Sequence, residues 1–255
     1  MNTTTLERVG EHARYVENKL CVNGTKRIFT ALYGSQNYGV MTEYSDVDTK
    51  TLLLPSLRQT IFLPPLSTAL HMPNGELAEV KDLREMFKQY RKQNINFLET
   101  LFSPYINVNP EFDKLFEALF AHRERIARYD PKAAVMSVCG TMIGTYTRYF
   151  KNPDEENAPK QLANLLRMKE FVERYLHDED YEECIWSHQL DYLKAVRAGL
   201  YDFETASKIA EELAEWANQT MVYATQHLKK EPDKSLEVWM DELVYMTFLE
   251  HCEKD

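Results

Sequence analysis

Two aspartates with one residue between them, Asp46 and Asp48, open a segment that otherwise has the composition of a β-strand and ends in three consecutive leucines. Side chains alternate across a strand, so a strand over residues 46–54 would point both aspartates to one side, roughly 7 Å apart along the chain. Two carboxylates this close repel one another unless a cation lies between them. Mg²⁺ prefers such oxygen ligands, together with water and substrate phosphates. The spacing therefore predicts a divalent-metal site.

A metal site of this kind also needs groups that bind phosphate. Gly34 and Ser35 follow the apolar run 27–33, which has the length of a strand, and a helix is expected to begin there. Gly34 allows close backbone approach, and Ser35 offers its amide and hydroxyl to a phosphate at the helix N-terminus. Taken alone, a Gly-Ser pair is usually only a turn, and an Asp-x-Asp is most often a solvated loop. The combination of the two is what favours a phosphate site.

A third carboxylate is expected on a neighbouring strand. Thr68–Met72 and Glu76–Lys81 flank a Pro-Asn-Gly turn, which predicts a β-hairpin. Glu79 lies between Ala78 and Val80 in the second strand, where an acid without a cation is hardest to explain. Glu76 directly follows the turn, where a charged residue needs no functional explanation. Asp82 is three residues before a glutamate and is predicted to cap the next helix.

These residues also carry a family resemblance. The pattern from Tyr33-Gly34-Ser35 to Asp46-Val47-Asp48 resembles the signature of the DNA polymerase beta superfamily of nucleotidyltransferases, in its branch of predicted nucleotidyltransferases that also occurs in bacteriophages. The segments 94–104, 160–167 and 196–199 are similar to later, less specific motifs of that branch, although Asn94-Ile95 departs from its usual Asn-Pro.

The resemblance implies an activity and a set of roles. A substrate hydroxyl would attack the α-phosphorus of a nucleoside triphosphate, with release of pyrophosphate and with two Mg²⁺ ions, or Mn²⁺ in their place. Asp46 and Asp48 would hold the metals, and Glu79 would hold one metal and help to activate the acceptor hydroxyl. Gly34 and Ser35 would grip the triphosphate. A catalytically silent nucleotide-binding or interaction module of the same fold is the alternative.

Two cations are further candidates for phosphate contact. Lys160 and Arg167 lie seven residues apart and therefore fall within about 20° on one face of a helix. Periodicity alone favours a solvated charged face, whereas the family's Lys-and-Arg helix implies that they bind the nucleotide. Lys50 is in phase with the two aspartates and would either neutralise carboxylate or phosphate charge or simply be exposed.

The remaining pattern predicts an α+β protein with two domains. Residues 1–105 are expected to form a nucleotidyltransferase-type mixed β-sheet flanked by helices, and residues 106–255 an all-α domain that completes the nucleotide and acceptor cleft. An amphipathic helix is predicted near the N-terminus. Beyond residue 105 the periodicity predicts helices near 111–128, 132–150, 159–177, 187–198, 204–228 and 235–252.

Composition limits the partners. The net charge is −10, and residues 201–255 contain thirteen acids against five lysines, which argues against a protein that coats nucleic-acid phosphates. No segment has the character of a signal peptide or a membrane span, and four scattered cysteines are typical of reduced thiols. A cytoplasmic protein is expected, in the host cytoplasm if phage-encoded, with no membrane partner. The acceptor stays open between an RNA 3′ end, a protein hydroxyl and a small molecule.

Overall fold

The structure is a computed structural model that describes residues 3–41, 45–228 and 232–252. The strands are β1 (Lys26–Tyr33), β2 (Asp48–Leu54), β3 (Ser67–His71), β4 (Leu77–Asp82) and β5 (Ile106–Val108). The helices are α1 (Thr3–Leu20), α2 (Leu57–Phe62), α3 (Leu83–Arg91), α4 (Ile95–Leu98), α5 (Asp113–Ala121), α6 (Arg123–Ala127), α7 (Pro131–Tyr146), α8 (Ala158–Leu176), α9 (Tyr181–Ile185), α10 (Leu190–Arg197), α11 (Phe203–His227) and α12 (Lys234–His251).

The five strands form one mixed sheet in the order β3-β4-β2-β1-β5. β2 pairs with β1 in antiparallel and with β4 in parallel orientation, while β3 and β5 extend the two edges in antiparallel orientation. The expected mixed sheet with helices is therefore confirmed. The hairpin is confirmed as well, because β3 and β4 pair across the turn at Asn74-Gly75, where Gly75 has a φ of +90°.

The predicted strand 46–54 is two residues too long at its start. The β1–β2 ladder ends with Tyr33 opposite Asp48, and the next residue of β1, Gly34, has a φ of +97°. The chain turns away at that point, so Asp46 has no β1 residue to pair with. Asp46 is exposed in the connection before β2, and Asp48 is the first residue of the strand.

The two faces of the sheet are covered differently. On one face, Val9 and Val16 of α1 join small buried clusters that include Leu32 of β1 and Leu53 of β2. On the other face, Leu52 and Leu54 of β2 belong to the main hydrophobic core, which continues through α3 and α4 into the helices after residue 106. Asp48 and Lys50 are in phase with Leu52, so they point toward this second, helical side.

Local signals account for several helix boundaries. The Asp82 side chain accepts hydrogen bonds from the backbone nitrogens of Arg84 and Glu85, which confirms the predicted cap of α3. The helix predicted near 111–128 is divided at His122 into α5 and α6, and the other predicted helices beyond residue 105 are present with shifted ends. Gly199, with a φ of +93°, follows the end of α10. The expectation that residues 106–255 are entirely helical is wrong at its start, because β5 pairs with β1 and forms an edge of the sheet. The division into two domains at that residue stays a prediction. Among the described residues, no helix combines the length and apolar character needed to cross a membrane.

Candidate active site

The start of β2 forms one wall of a cleft between the sheet and α8. Asp46 and Asp48 both line this cleft, as their spacing predicted. One carboxylate oxygen of Asp48 accepts a hydrogen bond of 3.0 Å from the backbone nitrogen of Leu77, the first residue of β4. Burial raises the pKa of the Asp48 carboxyl, and the charge of Asp46 adds to the rise, although the Leu77 amide and Lys160 oppose it. An added cation would relieve this repulsion.

The Gly34-Ser35 segment lines the same cleft and forms a tight turn. The carbonyl oxygen of Gly34 accepts a hydrogen bond of 2.9 Å from the backbone nitrogen of Asn37, and that of Ser35 accepts bonds from Tyr38 and Val40. Residues 36–39 are turn residues, so the helix expected to begin here does not form. The positive φ of Gly34 ends β1 and turns the chain, and an ideal Cβ at this position would meet no atom within 4 Å. Gly34 therefore faces open space beside the aspartates.

The buried carboxylate of Glu99 supports this turn, although the sequence predicted no role for it. Glu99 is 1% exposed and accepts a hydrogen bond of 2.9 Å from the backbone nitrogen of Gly34. The Tyr38 hydroxyl donates to its other oxygen. Burial raises the pKa of the Glu99 carboxyl, while Tyr38 and Arg167 oppose the rise. Its one sequence signal is its place in the family-like segment 94–104.

Helix α8 supplies the opposite wall of the cleft with Lys160, Asn164 and Arg167. Arg167 is only 3% exposed, and its guanidinium carbon lies 3.6 Å from the centroid of the Tyr38 ring. Its Nη2 donates to Asn164 Oδ1 at 3.2 Å, whereas Nε and Nη1 have no hydrogen-bond partner among the described residues. Buried donors without partners are costly, and an anion in the cleft would satisfy them.

The cleft encloses about 300 Å³ and brings together six of the seven predicted site residues. Several other residues that line the cleft carry no site role predicted from the sequence. Among these, Arg197 of α10 donates to the backbone oxygen of Val40 at 3.1 Å and thereby attaches α10 to the chain next to the cleft. The remaining polar ones are Tyr33, Tyr38, Ser45, Asn96, Gln161 and Asn164.

Glu79 is the predicted site residue that does not line the cleft. It lies opposite Lys50 in the β2–β4 register, forms an ion pair with the Lys50 ammonium, and lies 3.3 Å from Lys81 Nζ. Lys50 is 2% exposed, because its ammonium is enclosed between the rings of Tyr33 and Phe97 at 3.9 and 4.1 Å from their centroids. Burial lowers the pKa of Lys50, and Glu79 opposes that shift. Lys50 therefore neutralises the carboxylate of Glu79.

The donor set fits a metal held by two carboxylates and by substrate phosphates. In the described part of the chain, no group of three or more His, Cys, Asp or Glu side chains is arranged to hold a metal ion. Asp46 and Asp48 nevertheless face one cleft, and the opposite wall holds Lys160 and the incompletely hydrogen-bonded guanidinium of Arg167. Mg²⁺ commonly binds through one or two carboxylates and completes its shell with water and phosphate oxygens.

Comparison with known proteins adds no family assignment, because no protein-family model and no curated protein matches this chain.

Proposed function

We propose that the protein is a Mg²⁺-dependent nucleotidyltransferase of the DNA polymerase beta type, which transfers a nucleoside monophosphate from a nucleoside triphosphate to an acceptor hydroxyl. The observation that carries the proposal is one cleft with Asp46 and Asp48 on one side and the buried, incompletely hydrogen-bonded guanidinium of Arg167 on the other. Carboxylates that attract a metal and a cation that attracts phosphate are the two halves of a metal–nucleotide site.

Each half has a role in the proposed reaction. Asp46 and Asp48 would hold the metal ions, which neutralise phosphate charge and polarise the α-phosphorus when bound. Lys160 and Arg167 would bind the triphosphate oxygens, and the Gly34-Ser35 turn would let the phosphates approach the backbone. Holding the triphosphate in line with the acceptor supplies much of the rate enhancement of phosphoryl-group transfer.

The role proposed for Glu79 requires a rearrangement of its side chain. To serve as third metal ligand or to accept the proton of the acceptor hydroxyl, its carboxylate would have to leave Lys50 and Lys81. The same ion pairs favour the second candidate function, a nucleotide-binding module without catalysis, because a carboxylate neutralised by two lysines has little need of a metal. The two functions differ in one respect only, which is whether the α-phosphorus is transferred.

The test is to incubate the purified protein with Mg²⁺ and each of the four α-³²P nucleoside triphosphates, with RNA, protein and small-molecule fractions of a cell extract as acceptors. We expect label in one fraction with one or more nucleotides, and no label from the γ-³²P nucleotides. The control variants are Asp46→Ala and Asp48→Asn, and the second retains the hydrogen bond from Leu77. Both should lose transfer by orders of magnitude while remaining folded. Near-normal transfer by Asp46→Ala would contradict the metal role, and nucleotide binding without any transfer would favour the silent module.

A further inference from the structure

Glu76, the residue before β4, is buried next to the segment that carries Asp46 and Asp48. It is 2% exposed, although it follows the Asn74-Gly75 turn, where the sequence indicated nothing more than a charged residue beside a turn. One oxygen of its carboxylate accepts a hydrogen bond of 2.6 Å from the backbone nitrogen of Val47, the residue between Asp46 and Asp48. Leu77, the next residue, donates its backbone N–H to Asp48. Two consecutive residues, Glu76 and Leu77, therefore each form a hydrogen bond with the segment 46–48.

The peptide bond between Asp46 and Val47 is held at both of its polar atoms. Glu76 binds the N–H, and Gln36 Nε2 donates to the carbonyl oxygen of Asp46 at 3.3 Å. A peptide unit is planar, so two hydrogen bonds on its opposite atoms fix the orientation of the plane. This plane joins the Cα atoms of Asp46 and Val47, so its orientation constrains the Asp46 side chain directly and the path of the chain into Asp48.

Helix α1 anchors both of these hydrogen-bonding residues from the far face of the sheet. The Thr5 hydroxyl donates to Gln36 Oε1 at 2.8 Å, the Arg8 guanidinium pairs with Glu76, and His12 Nε2 lies 3.0 Å from Glu76 Oε2. Thr5, Arg8 and His12 recur at three and four residues and therefore share one face of the helix. Asn74 Nδ2 also donates to Glu76, at 2.7 Å.

His12 completes the network as a neutral side chain. It is 1% exposed, and burial together with the charge of Arg8 lowers its pKa to about 4. A neutral ring carries one N–H, so the assignment that satisfies both partners has Nε2–H donating to Glu76 and Nδ1 accepting from the Thr49 hydroxyl at 2.9 Å. Thr49 follows Asp48, so this link also ends at the aspartate segment.

We propose that Glu76 is a positioning residue for the metal-binding carboxylates, and that Gln36 and the Thr5–Arg8–His12 face of α1 form the support that holds it. The inference rests on the proposed function, because it assigns Asp46 and Asp48 to a metal. Removal of groups that hold metal ligands in position commonly lowers metal affinity by about 10- to 100-fold. The effect expected here is of that order.

The experiment measures binding of Mn²⁺ alone, as free Mn²⁺ detected by electron paramagnetic resonance, to wild-type protein and to Glu76→Gln. We expect the variant to bind about tenfold or more weakly, because an amide has one oxygen acceptor to serve the donors that two carboxylate oxygens serve now. The matched control is Asp82→Asn at the other end of β4. Asp82 is equally buried and also accepts backbone N–H groups, from Leu66 and Arg84, but does not contact the aspartate segment. Its loss should lower the melting temperature and leave Mn²⁺ affinity within about twofold.

A second variant keeps the test decisive if Glu76→Gln does not fold. Thr5→Val preserves the shape of a buried side chain and removes only the hydroxyl that holds Gln36, so a smaller loss of Mn²⁺ affinity, about threefold, is expected. Unchanged affinity in the folded variants, or an equal loss in Asp82→Asn, would overturn the positioning role alone. A wild-type protein that binds no Mn²⁺, either alone or together with a nucleoside triphosphate, would instead overturn the proposed function and this inference with it.

Discussion

The backbone nitrogen of Gly34 donates a hydrogen bond of 2.9 Å to the carboxylate of Glu99, which lies 65 residues further along the chain. The same carboxylate accepts from the Tyr38 hydroxyl, and the Tyr38 ring lies against the guanidinium of Arg167. The turn at one wall of the cleft is therefore connected to the buried cation at the other wall through Glu99 and Tyr38.

Replacement of Glu99 by glutamine should loosen both walls of the cleft. The amide offers one acceptor oxygen in place of two, and the charge that offsets Arg167 is lost. We expect nucleoside triphosphate to bind about tenfold more weakly, and the free energy of unfolding to fall by about 1–3 kcal/mol. Calorimetry and urea unfolding measure the two effects. Glu85→Gln on α3, away from the cleft, is the control, and equal nucleotide affinity in both variants would contradict the coupling.

The cations of α8 should distinguish nucleotides by their phosphates. Lys160→Ala and Arg167→Ala each remove a charge-assisted contact, for which about 1.5–3 kcal/mol is typical. We expect each variant to bind nucleoside triphosphate at least tenfold more weakly, with nucleoside affinity little changed, as measured by calorimetric titration. Lys169→Ala is the control on the same helix, because Lys169 pairs with Glu173 and does not line the cleft. Triphosphate affinity equal to wild type would assign Lys160 and Arg167 to a structural role.

Glu79 and Asp82 lie three residues apart on β4 and should respond differently to loss of charge. Glu79→Gln is expected to slow the chemical step by orders of magnitude, because the proposed role has the carboxylate leave its lysines when substrate binds. It should also lower the melting temperature, because the buried Lys50 ammonium loses its ion-pair partner. Asp82→Asn should leave the chemistry near normal and cost about 1 kcal/mol of stability, because Asp82 caps α3. Single-turnover kinetics and thermal unfolding measure these effects. Normal turnover by Glu79→Gln would limit the role of Glu79 in the wild-type protein to its ion pairs with Lys50 and Lys81.

Acidification should destabilise the protein in part through His12. Its pKa is lowered from 6.5 to about 4 on folding, so the unfolded chain binds the proton more tightly. The stability that neutral His12 contributes is complete above pH 6.5 and is lost as the pH falls from 6.5 toward 4. We therefore expect a flatter decline of the urea midpoint between pH 7.5 and 5 in His12→Gln than in wild type. His71→Gln, at an exposed position, is the control and should follow the wild-type decline.

Features encoded by neighbouring residues were predictable from the sequence. The Asn74-Gly75 turn, the Asp82 cap and the helical periodicity each depend on residues a few positions apart, so the hairpin, α3 and most later helices follow from local propensity. The Asp46-x-Asp48 spacing likewise placed both carboxylates in one cleft, although the strand itself begins at Asp48.

Only the tertiary structure decided which acids are buried and what each one contacts. Glu76 and Glu79 both stand near a hairpin turn, and the sequence favoured Glu79 because apolar residues flank it. The parallel pairing of β4 with β2 places Glu79 against Lys50, while α1 encloses Glu76 through Arg8 and His12. The hydrogen bond between Gly34 and Glu99 likewise joins two segments that are distant in sequence. The free energy of a buried carboxylate depends on its partners, and those partners come from segments distant in sequence, which no local pattern records.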